Sequence, residues 1–113
     1  MLILISPAKT LDFESPPPTK ICTRPDFLEL ANDLICGLSK LNVEEISALM
    51  GLSPKLANLN LDRFKSWTTK HDIPSSKQAI LAFKGDVYEG LQAWNFSEED
   101  FEFAQANLLI LSG

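Results

Sequence analysis

The chain has 113 residues, of which 45 % are hydrophobic and 22 % charged, with a formal net charge of −5. That length allows one modest domain, and the apolar share excludes disorder along the whole chain. The acidic balance excludes a uniformly basic nucleic-acid surface and leaves room only for a local basic patch.

In chain order, Leu2-Ile3-Leu4-Ile5 reads as a short strand covered on both faces, because an unbroken Leu/Ile run leaves no polar side. It lacks a basic lead-in and is too short for a signal-peptide core or a membrane span. Residues 12–25 hold four prolines, Pro16, Pro17, Pro18 and Pro25, and read as an extended surface connection. Phe27, Leu30, Ala31, Leu34, Ile35 and Leu38 then fall on one helical stripe. Asn42 caps a second helix, with Glu45 reaching back to it, and Ile46, Leu49 and Met50 form its apolar face.

Gly51-Leu52-Ser53-Pro54 breaks that helix: Gly51 suits its end, Ser53 an N-cap, and Pro54 the first position of a third helix through Leu56, Ala57 and Leu59. A further short helix is expected over residues 61–67. Ala79-Ile80-Leu81-Ala82-Phe83 reads as a second buried strand, followed by a turn at Lys84-Gly85-Asp86 and a short helix over 87–91. Ser97 caps a helix whose first turn carries Glu98, Glu99 and Asp100, where the helix dipole favours negative charge, and Phe101, Phe103 and Ala104 are assigned to its packed side. Leu108-Leu109-Ile110-Leu111 is the third strand.

Strands alternating with helices predict an α/β fold with a partly parallel sheet, into which residues 42–67 insert a helical segment. The chain stops just after a buried-type strand, so residues 1–113 are expected to be the N-terminal part of a single larger domain. Cys22 and Cys36, with His71 as the sole histidine, offer neither a disulfide framework nor a zinc site. They are expected to be reduced and packed, in the cytoplasm. No metal, cofactor or membrane contact is expected.

Two constellations carry possible chemistry. In the first, Leu49-Met50-Gly51-Leu52-Ser53-Pro54-Lys55-Leu56-Ala57 resembles the turn of helix-hairpin-helix DNA-binding modules, with Ser53 where a second glycine usually stands. Such a turn leaves few side chains between two helices, so amides at the second helix's start can face a phosphate. Lys55, Arg63, Lys65 and Lys70 against Asp62 give residues 51–71 a charge of +3. A phosphate-contacting face needs that reversal, and a solvated basic helix has it too. The candidate nucleic-acid residues are Gly51, Ser53, Lys55, Arg63 and Lys65, with double-stranded DNA backbone as the partner.

The second constellation lies where the predicted strands end: Ser6-Pro7-Ala8-Lys9-Thr10, Lys84-Gly85-Asp86-Val87-Tyr88 and Ser112-Gly113. If the strands run parallel, these exits share one sheet edge, where open α/β sheets bind ligands. Ser6, Lys9, Lys84, Asp86 and Ser112 would then bind a small anion. Lys9 or Lys84 would serve as phosphate ligand, base or nucleophile, with Asp86 orienting it. The bland alternative is a structural ion pair, and catalysis is the less favoured reading. Trp67 and Trp94 offer faces for base stacking but fit packing better. His71 reads as a loop surface residue.

Three stretches carry a family resemblance: residues 1–12, residues 78–91 with Ala-Phe-Lys-Gly-Asp-Val-Tyr-Glu-Gly, and residues 96–113 ending Leu-Ser-Gly. In this order they resemble the YaaA family of peroxide-stress proteins. The resemblance implies a cytosolic α/β protein roughly twice this length that limits unincorporated iron, and so oxidative damage to DNA, under hydrogen peroxide. It also implies a helix-hairpin-helix element linked to DNA binding, matching residues 49–57 here, and it transfers no catalytic assignment.

Overall fold

A computed structural model describes residues 1–70 and 76–112. His71 and Gly113 lie outside them. The elements in order are β1 (Ile3–Ile5), β2 (Thr10–Leu11), α1 (Leu28–Leu38), α2 (Val43–Met50), α3 (Pro54–Ser66), α4 (Ala79–Ala82), β3 (Phe83–Lys84), α5 (Asp86–Leu91), a 3-10 turn (Ala93–Asn95), α6 (Glu98–Asn107) and β4 (Leu108–Ile110). They form two compact units. One joins Met1–Thr23 to Asp72–Gly113, and the other is Arg24–His71.

The first unit contains two small sheets. β1 pairs in parallel with β4, Ile3 opposite Leu108 and Ile5 opposite Ile110, as the α/β reading expects. Ile3, Ile5, Leu108 and Ile110 are half-buried, whereas Leu4 and Leu109 face out. Coverage on both faces, as an all-apolar run suggests, is therefore not realised.

The second sheet departs from the parallel arrangement. β2 and β3 pair antiparallel, Thr10 opposite Lys84 and Leu11 opposite Phe83, and the Asp12 amide extends the ladder to the Ala82 carbonyl at 2.7 Å. The strand expected at 79–83 is mostly a helical turn. A five-residue apolar run cannot tell strand from buried helix by periodicity. Ala and Leu favour helix, and the amides of Leu81 and Ala82 both donate to the Gln78 carbonyl.

Long-range side-chain bonds hold that turn. Gln78 Nε2 donates to the carbonyls of Thr19 (3.2 Å) and Ile21 (2.8 Å), fixing the end of the proline-rich segment. Thr19 is buried there. α6 begins with a reciprocal cap, in which Ser97 Oγ accepts the Asp100 amide and Asp100 Oδ2 accepts the Ser97 amide. Those bonds hold the Asp100 carboxyl below its ordinary pKa. Phe101 is buried against Phe96, while Phe103, assigned to the packed side, is exposed.

The second unit is helical. Ile46 and Ala57, both without solvent exposure, and Leu61 form its core, with Leu41, Val43, Leu52 and Phe64 packed around them. α1 packs on α3. The expected α1 stripe divides: Ala31, Ile35 and Leu38 are half-buried, as is Leu28 outside that stripe, and Phe27, Leu30 and Leu34 are exposed. Leu49 and Met50 of α2 likewise stay exposed. The separate helices expected at 54–59 and 61–67 are one continuous α3, since nothing between them breaks the chain. Cys22 and Cys36 are unpaired and exposed, not packed. No helix among the described residues is long and apolar enough to cross a membrane.

Candidate functional site

The α2–α3 hairpin is built by local chemistry that its sequence specifies. Asn42 Oδ1 accepts the Glu45 amide and Glu45 Oε2 accepts the Asn42 amide, both at 2.8 Å, closing the start of α2. Gly51 ends α2 in the left-handed region with φ 64° and ψ 38°. The amides of Gly51 and Leu52 both donate to the Ser47 carbonyl, and the Ser47 hydroxyl donates to the Leu52 carbonyl. Ser53 then turns extended and caps α3, accepting the Leu56 amide, with Pro54 at the first helical position.

A Cβ at Gly51 would meet nothing within 4 Å, so the demand for glycine comes from the backbone alone. Gly51→Ala should therefore destabilise the helical unit by about 1–2 kcal/mol, the left-handed cost for an L-residue. Chemical denaturation checks this, and an unchanged midpoint would contradict it.

Gly51, Ser53 and Lys55 are all exposed at the hairpin tip, and Arg63 and Lys65 are exposed further along α3. Helical geometry relates these positions. At about 100° per residue, Arg63 and Lys65 lie roughly 80° to either side of the line through Lys55. Ala57, Leu61 and Phe64 occupy the opposite face and pack into the core. The three cations thus share the solvent arc, about 15 Å long from Lys55 to Lys65. Asp62 lies within that arc, roughly 20° from the Lys55 line, and tempers its potential. A cleft beside the turn is lined by Val43, Glu44, Ser47, Ala48 and Pro54. Its one charge, Glu44, is negative, so an anion would meet the tip and the α3 arc instead.

The second constellation lies in the other unit, and its residues fall around two sheets, not along one edge. Ser6 and Ser112 follow the parallel strands, and the Leu111 amide donates to the Ile5 carbonyl at 3.0 Å. Lys84 stands opposite Thr10 in the antiparallel pair, which brings Lys9, the residue before Thr10, to a neighbouring backbone position. Asp86 opens α5 and is exposed, as are both lysines. Gly85 lets the two segments approach, since a Cβ there would come within 3.3 Å of Ala8 Cβ. Tyr88, only 3 % exposed, links the sheets by donating its hydroxyl to the Ser6 carbonyl at 2.7 Å. Burial raises its pKa above the ordinary phenol value.

Beside Tyr88 lies a groove of about 370 Å³ lined by Asp12, Ile80, Leu81, Phe83, Lys84, Tyr88, Glu89, Gln92 and Trp94. Of the sequence candidates only Lys84 lines it; Ser6, Lys9, Asp86 and Ser112 do not. Gln92 adopts φ 53°, a left-handed conformation uncommon for a residue other than glycine, at the end of α5. Trp94, expected to pack, is half-exposed at the groove. Among the described residues no cluster of three or more His, Cys, Asp or Glu side chains is arranged to hold a metal ion.

Sequence reasoning missed the Asp12–Lys77 pair. Asp12 Oδ1 accepts the amides of Glu14 and Ser15, each at 3.0 Å. Lys77 Nζ donates to the Asp12 carbonyl at 2.9 Å and lies 3.8 Å from its carboxylate. The Asp-Phe-Glu-Ser run, which favours such a turn, was the available signal. Hydrogen bonding from Ser15 above all, then from Glu14 and with the Lys77 charge, lowers the Asp12 pKa to about 2. A carboxyl with a depressed folded pKa stabilises above its unfolded value, near 3.9, and loses that contribution as pH falls towards 2. Asp12→Asn should flatten the loss of stability between about pH 4 and pH 2. Thermal melts across that window check it; a slope equal to wild type would contradict it.

A family model described as peroxide stress protein YaaA matches residues 1–113. The chain is 54 % identical over its full length to a UPF0246 protein of Teredinibacter turnerae (strain ATCC 39867 / T7901), and it spans 44 % of that relative's length. With the model matching along the whole of its sequence, the chain belongs to the YaaA peroxide-stress protein family.

Proposed function

We propose that this chain is the N-terminal part of a cytoplasmic peroxide-stress protein that docks on the phosphate backbone of double-stranded DNA, without reading sequence, through the α2–α3 hairpin. The hairpin acts as a helix-hairpin-helix element within a larger fold. In this reading the protein limits unincorporated iron and oxidative DNA damage in the peroxide response, and catalysis is not required. The observation that carries the DNA contact is the exposed Lys55, Arg63 and Lys65 arc on α3, opposite its packed face and continuous with the glycine-ended tip. Backbone contacts position a protein on DNA but carry no base information.

The test is fluorescence anisotropy with duplexes of equal length and unrelated sequence, including one rich in A·T pairs. Affinities should agree within about threefold at a given salt concentration, a spread well below the discrimination given by one specific bidentate base contact. A strong preference for one sequence, or no binding at low salt, would overturn the reading.

A second reading draws on the groove. Lys84 beside Tyr88 and half-exposed Trp94 suits a small anionic ligand with a planar part. Asp12 and Glu89, which also line the groove, oppose a highly charged anion.

A further inference from the structure

The β1–β4 sheet carries an uncovered leucine face. Leu4 and Leu109 are cross-strand partners, 54 % and 47 % exposed. Leu2 and Leu111, which flank these strands in the chain, are 62 % and 60 % exposed. The other side, with Ile3, Ile5, Leu108 and Ile110, is half-buried within the unit. Parallel strands are otherwise found with both faces covered, and a two-stranded pair alone is marginal in water. Two exposed leucines paired across such a sheet, with an exposed leucine flanking each in the chain, make an apolar patch of the sort that marks an interface.

We infer that this leucine face is a docking surface for the part of a full-length family member that the chain does not match, which covers Leu2, Leu4, Leu109 and Leu111 with an apolar layer. Length argues for this occupant. The chain spans 44 % of the Teredinibacter relative, so 56 % of that protein, more polypeptide than this chain contains, is available to cover the sheet. A second copy of the chain brings only the same three-residue strands. The Leu111 amide also bonds to the Ile5 carbonyl, which ties Leu111 to the end of the sheet. The inference rests on family membership and is independent of any DNA contact by the hairpin.

The experiment co-expresses the affinity-tagged 113-residue chain with the unmatched 56 % of the relative as a separate, untagged polypeptide. The tagged chain should capture that polypeptide in near-equal amounts. Leu4→Lys with Leu109→Lys should reduce capture by about tenfold or more, because each buried leucine contributes roughly 1.5–3 kcal/mol and a tenfold change needs only 1.4. Leu30→Lys, an exposed α1 position in the other unit, should leave capture unchanged. A Leu4→Thr, Leu109→Thr pair, which keeps strand propensity, should show the same loss if lysine disturbs folding. Failure of the wild-type chain to capture the polypeptide, equal capture by the variants, or capture of an untagged copy of the chain in its place would each overturn the inference.

Discussion

Lys55→Glu combined with Lys65→Glu should weaken duplex binding by well over tenfold at moderate salt. Each lost phosphate contact removes about 0.9 from the slope of log affinity against log salt. At 0.1 M salt that is roughly eightfold per contact, so two contacts give on the order of sixtyfold before repulsion by the new carboxylates is counted. The slope itself should fall by about two. Both side chains are exposed on α3, away from Ile46, Ala57 and Leu61, so the fold should tolerate the change. The same reversal at exposed Lys20, in the other unit, should leave the slope unaltered. Salt-titrated anisotropy on the 113-residue chain and on the longer relative checks this. Parallel lines for wild type and variant would contradict it.

Ile46→Ala should cost the helical unit about 2–5 kcal/mol. Ile46 is completely buried, and its neighbours Ala57 and Leu61 belong to α3, so the cavity would open along the seam that holds the hairpin together. Small units hold only about 5–15 kcal/mol in reserve, and this one places few side chains fully out of solvent. Denaturant midpoints by circular dichroism should fall accordingly, with DNA affinity falling in parallel. A loss below about 1 kcal/mol would mean that the seam does not hold the hairpin.

The helix boundaries were legible because short-range chemistry decides them. Asn42 with Glu45, Gly51, Ser53 with Pro54, and Ser97 each satisfy backbone groups within a few residues, and each takes the role its type suggests. A parallel arrangement of β1 and β4 was legible as two apolar runs separated by helices, but not that these two would be neighbours. Residues 79–83 were not, because their conformation depends on Gln78 reaching Thr19 and Ile21, some 57–59 residues earlier in the chain. β2 was hidden for a similar reason: Thr10 and Leu11 are only two residues, too short a run to mark a strand, and pair because β3 lies beside them.

The candidate sites follow the same division. The hairpin tip, fixed locally, has the capped geometry its residues suggest. The strand-end cluster depended on a single parallel sheet. With two sheets present, Lys84 lines the groove with Asp12 and Tyr88, while Ser6 is reached through the Tyr88 hydroxyl. On α1, periodicity gave the helix but not which of two overlapping stripes would be packed, since Phe27, Leu30 and Leu34 are as apolar as Leu28, Ala31 and Ile35.

The central proposal is that DNA meets the hairpin, and amide NMR during titration of this chain with a short duplex tests it most directly. The largest shifts should fall on Gly51, Ser53, Lys55, Arg63 and Lys65 and fade as salt is added. Shifts gathered instead at Lys84, Tyr88 and Trp94, with the hairpin silent, would contradict it.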